Sequence, residues 1–466
     1  MYDVAIVGGG IAGLAAAYAL SDRERLLLLD AAPEVGGKLR VSAFGDTWVD
    51  EGAEQVLVRT PEALDLIQAV GLAADVVHPQ TSSASVWSRG ALRELPGGTV
   101  LGVPADPVAV ARSGVLPVAG LLRAAADAVL PRTPIDGDVA VGSYVGARAG
   151  RAVVDRLVDP LLGGVYAGRA DSLSLAATVP QLAAEVHRHR TLLGAAKAVK
   201  AATPVSAGPV FAGLRGGLGR LPAAVVALVQ ERGGEVRTGT TVRGISRTPD
   251  GFRLTLGAVP VEEYVETRSV VLAVPATPAA RMLRDIASAA ATATSGIEYA
   301  SVAIVTLAYR EPLAVRGSGV LVPAVEGRST KALTYLSSKW RHLSGDLALM
   351  RASVGRYGEA YEIQRDDSDL VAVVHADLRA MLGVRGEPVL SRVSRWGGAL
   401  PQYAPGHLDL VRRVREALPA GIVVCGAAYD GVGVPACIRS GFTAAAALRE
   451  WSDDRRTDHR TEAEGA

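Results

Sequence analysis

Gly8, Gly9, Gly10, Ile11, Ala12 and Gly13 follow the apolar run Tyr2-Asp-Val-Ala-Ile-Val7, and the spacing Gly8-x-Gly10-x-x-Gly13 has a chemical purpose. Gly8 makes a tight turn, Gly10 lets backbone approach a pyrophosphate, and Gly13 lets a helix pack closely on a strand. The small residues Leu14 to Leu20 read as that helix, whose N-terminus offers amide donors and a positive dipole end to phosphates. A second run, Arg25 to Asp30, closes on an acid where the first βα unit should end. A carboxylate there accepts both ribose hydroxyls of an adenosine and repels a 2′-phosphate. The expected chemistry is dinucleotide binding. An ordinary glycine-rich turn is the plainer alternative, and strand, helix, strand and acid in register count against it.

The next residues favour FAD over NAD. Asp30-Ala31 leads into Gly36-Gly37-Lys38, where glycines let the chain pass a ribityl-phosphate and Lys38 can pair with a phosphate. Trp48-Val-Asp-Glu51 breaks at Gly52-Ala53-Glu54-Gln55, a segment able to run beneath a flavin. Much later, Gly233 to Ile245 reads as a strand after the helix Leu221 to Glu231, and Val242 is placed to pack or hydrogen-bond at the adenine. Phe252 to Leu256 with Val261 to Thr267 reads as a hairpin, and Ser269 to Pro275 as another buried strand. Near the end, the strand Gly421 to Gly426 runs through Tyr429-Asp-Gly431-Val432-Gly433-Val434-Pro435 into a helix Ala436 to Trp451. Glycines followed by proline suit a helix start. A helix N-terminus facing the flavin N1–C2=O edge would stabilise the charge of reduced flavin.

The elements that must position these residues make an α/β fold: a Rossmann-like FAD-binding domain, a mixed-sheet substrate domain and a helical insertion. The expected boundaries are 1–54, 206–277 and 395–451 for the FAD-binding domain, and 55–87, 161–205 and 278–394 for the substrate domain. Residues 88–160 form a helical cap or membrane-facing insertion, and 452–466 a disordered tail. Composition agrees: 466 residues suffice for two or three domains, and 49% hydrophobic with 21% charged residues excludes a disordered chain. A net charge of +1 gives no field for nucleic acid. Asp3 and the early glycines are unlike a secretory signal, and two cysteines suit a reducing, cytoplasmic setting. The seven histidines show no ligand spacing, so no metal is expected. Five lysines stand against 44 arginines, a bias that GC-rich codons produce.

With these blocks in place, the chain resembles the flavin oxidases that aromatise porphyrinogens, the protoporphyrinogen and bacterial coproporphyrinogen III oxidase family. The likeness rests on Asp159-Pro-Leu-Leu-Gly-Gly-Val-Tyr-Ala-Gly168 with Leu173-Ser174, on Arg395-Trp396 with Leu400-Pro-Gln-Tyr403, and on Gly431 to Ile438 with Ser440-Gly441. It implies six-electron oxidation of coproporphyrinogen III by O2 with release of peroxide, in haem synthesis. Protoporphyrinogen IX is the nearest alternative substrate, and amine oxidation a more distant one. FAD is then noncovalent, flavin N5 accepts hydride, and no catalytic side chain is assigned. The resemblance implies FAD contacts at Gly8 to Gly13, Asp30-Ala31, Lys38, Gly52 to Gln55, Val242, Trp396 and Val432 to Val434. Arg59 is the candidate propionate partner or a solvated loop arginine. Tyr166 lines the substrate slot or packs in the core, and Lys339 is an ion-pair partner or surface. Contact with a membrane surface, and a handover partner such as ferrochelatase or another haem-pathway enzyme, are left open.

Overall fold

The computed structural model describes residues 1–203, 208–313 and 315–464, of which 455–464 are described as backbone only. The chain forms two compact units: 1–77, 211–297 and 409–466 in the first, 78–210 and 298–408 in the second. In chain order, the elements used below are β1 (Tyr2–Val7), α1 (Ile11–Leu20), β2 (Leu26–Leu29), β3 (Ser85–Ser88), β4 (Ala91–Glu94), α2 (Asp159–Tyr166), α3 (Arg220–Glu231), β5 (Glu235–Arg237), β6 (Val242–Thr248), β7 (Gly251–Leu256), β8 (Glu263–Leu272), β9 (Tyr299–Tyr309), β10 (Gly319–Leu321), β11 (Thr330–Tyr335), β12 (Ala348–Val354), α4 (Asp367–Leu382), β13 (Leu390–Pro401), β14 (Ile422–Val424) and α5 (Val434–Glu464).

The first unit is built on a sheet of order β5-β2-β1-β8-β7-β6, with β14 also pairing β8. Val4 lies opposite both Leu26 and Ser269, and Val270 opposite Ile422, all in parallel register. A parallel sheet is covered on both faces, which is why Leu26–Leu29 is apolar and buried throughout. One core cluster joins Ile6, Leu28 and Val271 of the sheet to Leu14 of α1, Val225 of α3 and Ile438 of α5. The helices α1 and α5 come very close: a Cβ on Gly441 would stand 2.2 Å from the Ala12 carbonyl oxygen, so only glycine fits there. The sequence suggests a hairpin strand ending at Thr267 and a separate buried strand from Ser269. They are one strand, β8, antiparallel to β7 in its first half and parallel to β1 in its second. The polar residues do not break it because they are satisfied: Thr267 Oγ1 donates to Ser269 O at 2.9 Å and Ser269 Oγ to Asp3 O at 2.9 Å.

The second unit has a sheet of order β13-β9-β12-β11-β10-β3-β4. Leu370, Val374 and Leu378 of α4 cover one face, packing on Val305, Leu307, Leu333 and Met350. Successive residues of a strand alternate faces, so Val302, Ile304 and Thr306 of β9 lie on the other.

Several boundaries differ from those read in the sequence. The first unit reaches Val77 rather than 54 and Ile297 rather than 277, because the helices Ala276–Leu283 and Ser288–Ser295 belong to it. Its last segment starts at Asp409 rather than 395, since β13 stays in the second sheet as far as Pro401. The expected 205/206 boundary lies outside the described residues. The stretch 88–160 is no separate unit, and its start is not helical. β3 and β4 form a hairpin whose two turn residues, Arg89 and Gly90, have φ of 56° and 71°. Paired positive φ values make a tight turn that matches strand twist, and Arg-Gly is not the usual sequence signal for one. Helices begin only at Pro107. The tail expected to be disordered continues α5 as helical backbone to Glu464, since adding residues to a formed helix costs far less than starting one. Among the described residues, no helix is long and apolar enough to cross a membrane.

Candidate functional site

In the first unit the loop between β1 and α1 is stitched to its neighbours by backbone. Gly8 N–H donates to Leu29 O at 2.8 Å and Gly36 N–H to Gly9 O at 2.7 Å. Gly8 has φ +111°, and a Cβ there would lie 2.6 Å from Ala273 O; one on Gly13 would lie 2.0 Å from Gly8 O. The turn and the close helix–strand approach therefore both require glycine. Gly10 differs, since a Cβ there would meet nothing within 4 Å. It faces open space, where its bare backbone leaves room for a ligand. α1 has no capping side chain and no acid in its first turn, so its leading N–H groups remain available to an anion.

Asp30 is half-buried, and its carboxylate accepts N–H from Gly9 at 2.5 Å and from Ala32 at 2.7 Å. A carboxylate has about four lone-pair sites, which leaves capacity for two ribose hydroxyls. Thr240 N–H donates to Asp30 O at 2.8 Å and Gly239 N–H to Ala32 O at 2.7 Å, so the link entering β6 at Val242 runs beside Asp30 and Ala31. On the other side, Ala53 N–H donates to Lys38 O at 3.3 Å, and a Cβ on Gly52 would stand 1.9 Å from that oxygen. Gly52 to Gln55 is thereby held against Gly36 to Lys38. Gln55 Oε1 is buried with no hydrogen-bond partner among the described residues, an acceptor that a bound ligand could satisfy. Lys38 keeps accessible surface, yet protein crowding lowers its ammonium pKa, opposed by the Cys437 thiolate form. An accessible but crowded cation suits a cleft wall.

The α5 terminus closes this set. Gly426 N–H donates to Ser440 Oγ at 2.9 Å, Ser440 Oγ donates to Cys437 O at 2.7 Å, and the next residue, Gly441, is the one packed tightly on Ala12. The N-terminal turns of α1 and α5 therefore lie side by side, with Val432 and Gly433 leading into the second. The Cys437 thiol donates to Gly431 O at 3.5 Å, and burial pushes its pKa up to about 11. It is thus protonated at neutral pH and a poor nucleophile. Gly8 to Gly13, Asp30, Ala31, Lys38, Gly52 to Gln55, Arg59, Val242 and Val432 to Val434 all fall in the first unit; Arg59 is exposed there.

Tyr166, Lys339 and Trp396 fall in the second unit. Trp396 lies opposite Val302 and borders a small apolar cluster of Ala167, Ala300, Val302 and Ala399. Tyr166 is buried, with its ring 5.5 Å from that of Tyr403, and burial raises its hydroxyl pKa to about 12. Tyr403 in turn stacks on His407 at 3.9 Å. Lys339 is buried, which removes the surface reading; its Nζ lies 5.3 Å from the Trp340 ring centroid. The register also brings out residues not marked in the sequence. Arg351 of β12 and Arg392 of β13 flank Thr306 on either side, on the face away from α4. Lys331, at 7% exposure, is buried beside Arg356. Only the scarcity of lysine could have pointed to it.

A parallel-sheet dinucleotide cradle with a second, mixed-sheet unit defines a two-unit flavin oxidoreductase. Residues 11–449 match the family described as flavin containing amine oxidoreductase, and the chain belongs to that family. It is an FAD-dependent enzyme. It is 39% identical over 453 residues to a coproporphyrinogen III oxidase of Mycobacterium leprae, covering 95% of this chain and 97% of that one. A coproporphyrinogen III oxidase of Bacillus subtilis is 31% identical over 461 residues, with 95% and 96% covered. A solved structure from Exiguobacterium sp. 255-15 superposes with a TM-score of 0.85 at 31% identity, covering 96% and 98%.

Proposed function

We propose that this enzyme oxidises coproporphyrinogen III to coproporphyrin III, reducing three O2 to three H2O2. What carries the reading is near full-length similarity to relatives of that activity in distant bacteria. FAD, when bound, would supply the two-electron acceptor for each oxidation, with O2 as the final oxidant. The chain's own part is to bind and orient. The N–H groups opening α1 would take the pyrophosphate, Asp30 would hold the ribose, and Gly52 to Gln55 would contact the flavin part of the cofactor. Lys38 would balance phosphate charge, and the α5 terminus at Val432 to Val434 would favour negative charge on the cofactor. The protonated Cys437 suits noncovalent attachment, and two buried free thiols suit a cytoplasmic setting. Trp396 remains the candidate FAD contact of the second unit, Tyr166 is the candidate wall of the substrate slot, and Arg59 is a candidate cation for a propionate.

The test offers purified holoenzyme coproporphyrinogen III and protoporphyrinogen IX under air, reading porphyrin fluorescence and peroxide. A preference for the tetracarboxylate, with about three peroxides per porphyrin, is expected. Preference for protoporphyrinogen IX would replace the substrate, and turnover of neither would refute the reading.

A further inference from the structure

Lys331 has an unusual position. It is the extra residue of a bulge in β11: Thr330 pairs with Val354 and Ala332 with Ser353, leaving Lys331 between them. Its backbone is engaged, with Val322 N–H donating to Lys331 O at 2.9 Å. Its side chain is 7% exposed, and no hydrogen bond or ion pair to its ammonium occurs among the described residues.

The charges around it are already committed elsewhere. Arg356, also 7% exposed, donates to Val322 O at 3.1 Å and Arg328 O at 3.3 Å, and its Nη1 lies 3.6 Å from Glu359 Oε2. The other oxygen of Glu359 pairs with Arg169. Asp159, at the start of α2, lies 3.8 Å from Arg169 and accepts Ala170 N–H at 2.8 Å. Arg328 faces Asp377 of α4 at 3.4 Å, and Asp377 also accepts Thr330 N–H at 3.0 Å. Apart from that neutral pair, Lys331, Arg356 and Arg169 stand against two carboxylates, Glu359 and Asp159. Arg169 is a third exposed, so the unbalanced charge that is buried is that of Lys331, for which no partner occurs among the described residues. Burial first, and Arg356 second, bring its pKa down to about 7 against the pull of Glu359.

A buried cation lacking a counter-ion is costly, and an apolar side chain of similar length would fill the same space without that cost. Its setting suggests what it serves. Tyr357, next to Arg356, donates its N–H to Ala167 O at 2.7 Å. Ala167 has φ +50° and belongs to the apolar cluster edged by Tyr357, Trp396 and Leu400, one residue from Tyr166. Lys331 is thus linked, through Val322 and Arg356, to the segment that ends on this apolar cluster, and an apolar ring bearing carboxylates calls for a cation near apolar side chains. We propose that Lys331, with Arg356 beside it, binds one carboxylate of the substrate and thereby favours a tetracarboxylate over a dicarboxylate porphyrinogen. This rests on the porphyrinogen reading above. Lysine suits the task as a compact, titratable charge in a chain that has only five lysines against 44 arginines.

The experiment compares wild-type, Lys331→Met and Lys331→Arg holoenzymes. It measures the dissociation constants of coproporphyrin III and of a dicarboxylate porphyrin, with KM for the corresponding porphyrinogens. Lys331→Met should weaken the tetracarboxylate about tenfold or more and the dicarboxylate much less. In the wild type, tetracarboxylate affinity should fall as pH rises from about 6 to about 9, and Lys331→Arg should flatten that profile. Equal losses for both porphyrins, no loss for either, or an unchanged pH profile in Lys331→Arg would overturn the proposal. So would stabilisation of the wild type alone by chloride or phosphate with porphyrin discrimination intact, which would make the occupant an inorganic anion. If the wild type oxidises no porphyrinogen but binds coproporphyrin III through Lys331, the functional reading fails and the carboxylate site stands.

Discussion

Asp30 anchors two backbone amides, Gly9 and Ala32, before any ligand arrives. Replacing it with alanine removes the proposed ribose acceptor together with the two bonds that hold Gly9 and Ala32. Asp30→Ala should raise the FAD dissociation constant at least about tenfold, since a hydrogen bond to a charged group contributes roughly 1.5–3 kcal/mol. Recovery of flavin fluorescence on dilution measures this, and an unchanged constant would remove Asp30 from the cofactor site. At this scale the sequence was informative wherever a residue type is forced by backbone. Gly8, Gly13 and Gly52 are glycine because a Cβ would strike a carbonyl oxygen, so their spacing reads without a structure. Lys331 was opaque because neither burial nor the absence of a partner has a sequence signature.

Helices in the second unit depend on an ion pair of a different kind. Arg148, in the helix Val141–Ala149, is 1% exposed and donates from Nε to Asp127 Oδ1 at 2.6 Å. Asp127 also accepts Leu192 N–H at 3.2 Å and Leu193 N–H at 3.0 Å, which caps the helix Leu192–Ala202. One carboxylate thus ties three segments together. Asp127→Ala would strand a buried guanidinium and should lower stability by about 3–5 kcal/mol. Denaturant unfolding followed by circular dichroism tests this; a loss below about 1 kcal/mol would show that the pair is not structural. Elements with strong local signals, such as α1 and β2, were legible. The β3–β4 hairpin was not, because Arg-Gly at its turn lacks the usual Asn-Gly cue and the whole stretch 88–160 reads as helical.

For the molecule as a whole, cofactor binding and folding are linked. A ligand that binds only the native state stabilises it by about 2.7 kcal/mol at a hundredfold excess over its dissociation constant. Apoprotein reconstituted with FAD should therefore show a Tm that rises with FAD concentration, by several degrees at saturation. Differential scanning fluorimetry at graded FAD concentrations reads this, and a constant Tm would contradict a cradle that needs the cofactor. The cradle comes from three sequence segments folded into one unit, so its stability should respond as one.

The sequence alone determined the dinucleotide fingerprint, the later return of the chain to the same sheet, and the likeness to porphyrinogen oxidases. Those signals are local: turns, close approaches and strand runs act over a few residues and restrict residue type directly. The tertiary structure decided where the units divide, that β8 is one strand, and that α1 and α5 meet at Gly441. It also placed a surplus buried charge at Lys331. Each depends on which distant segments share a sheet or a buried space, and burial sets the energetic consequence of a charge only after the chain has folded.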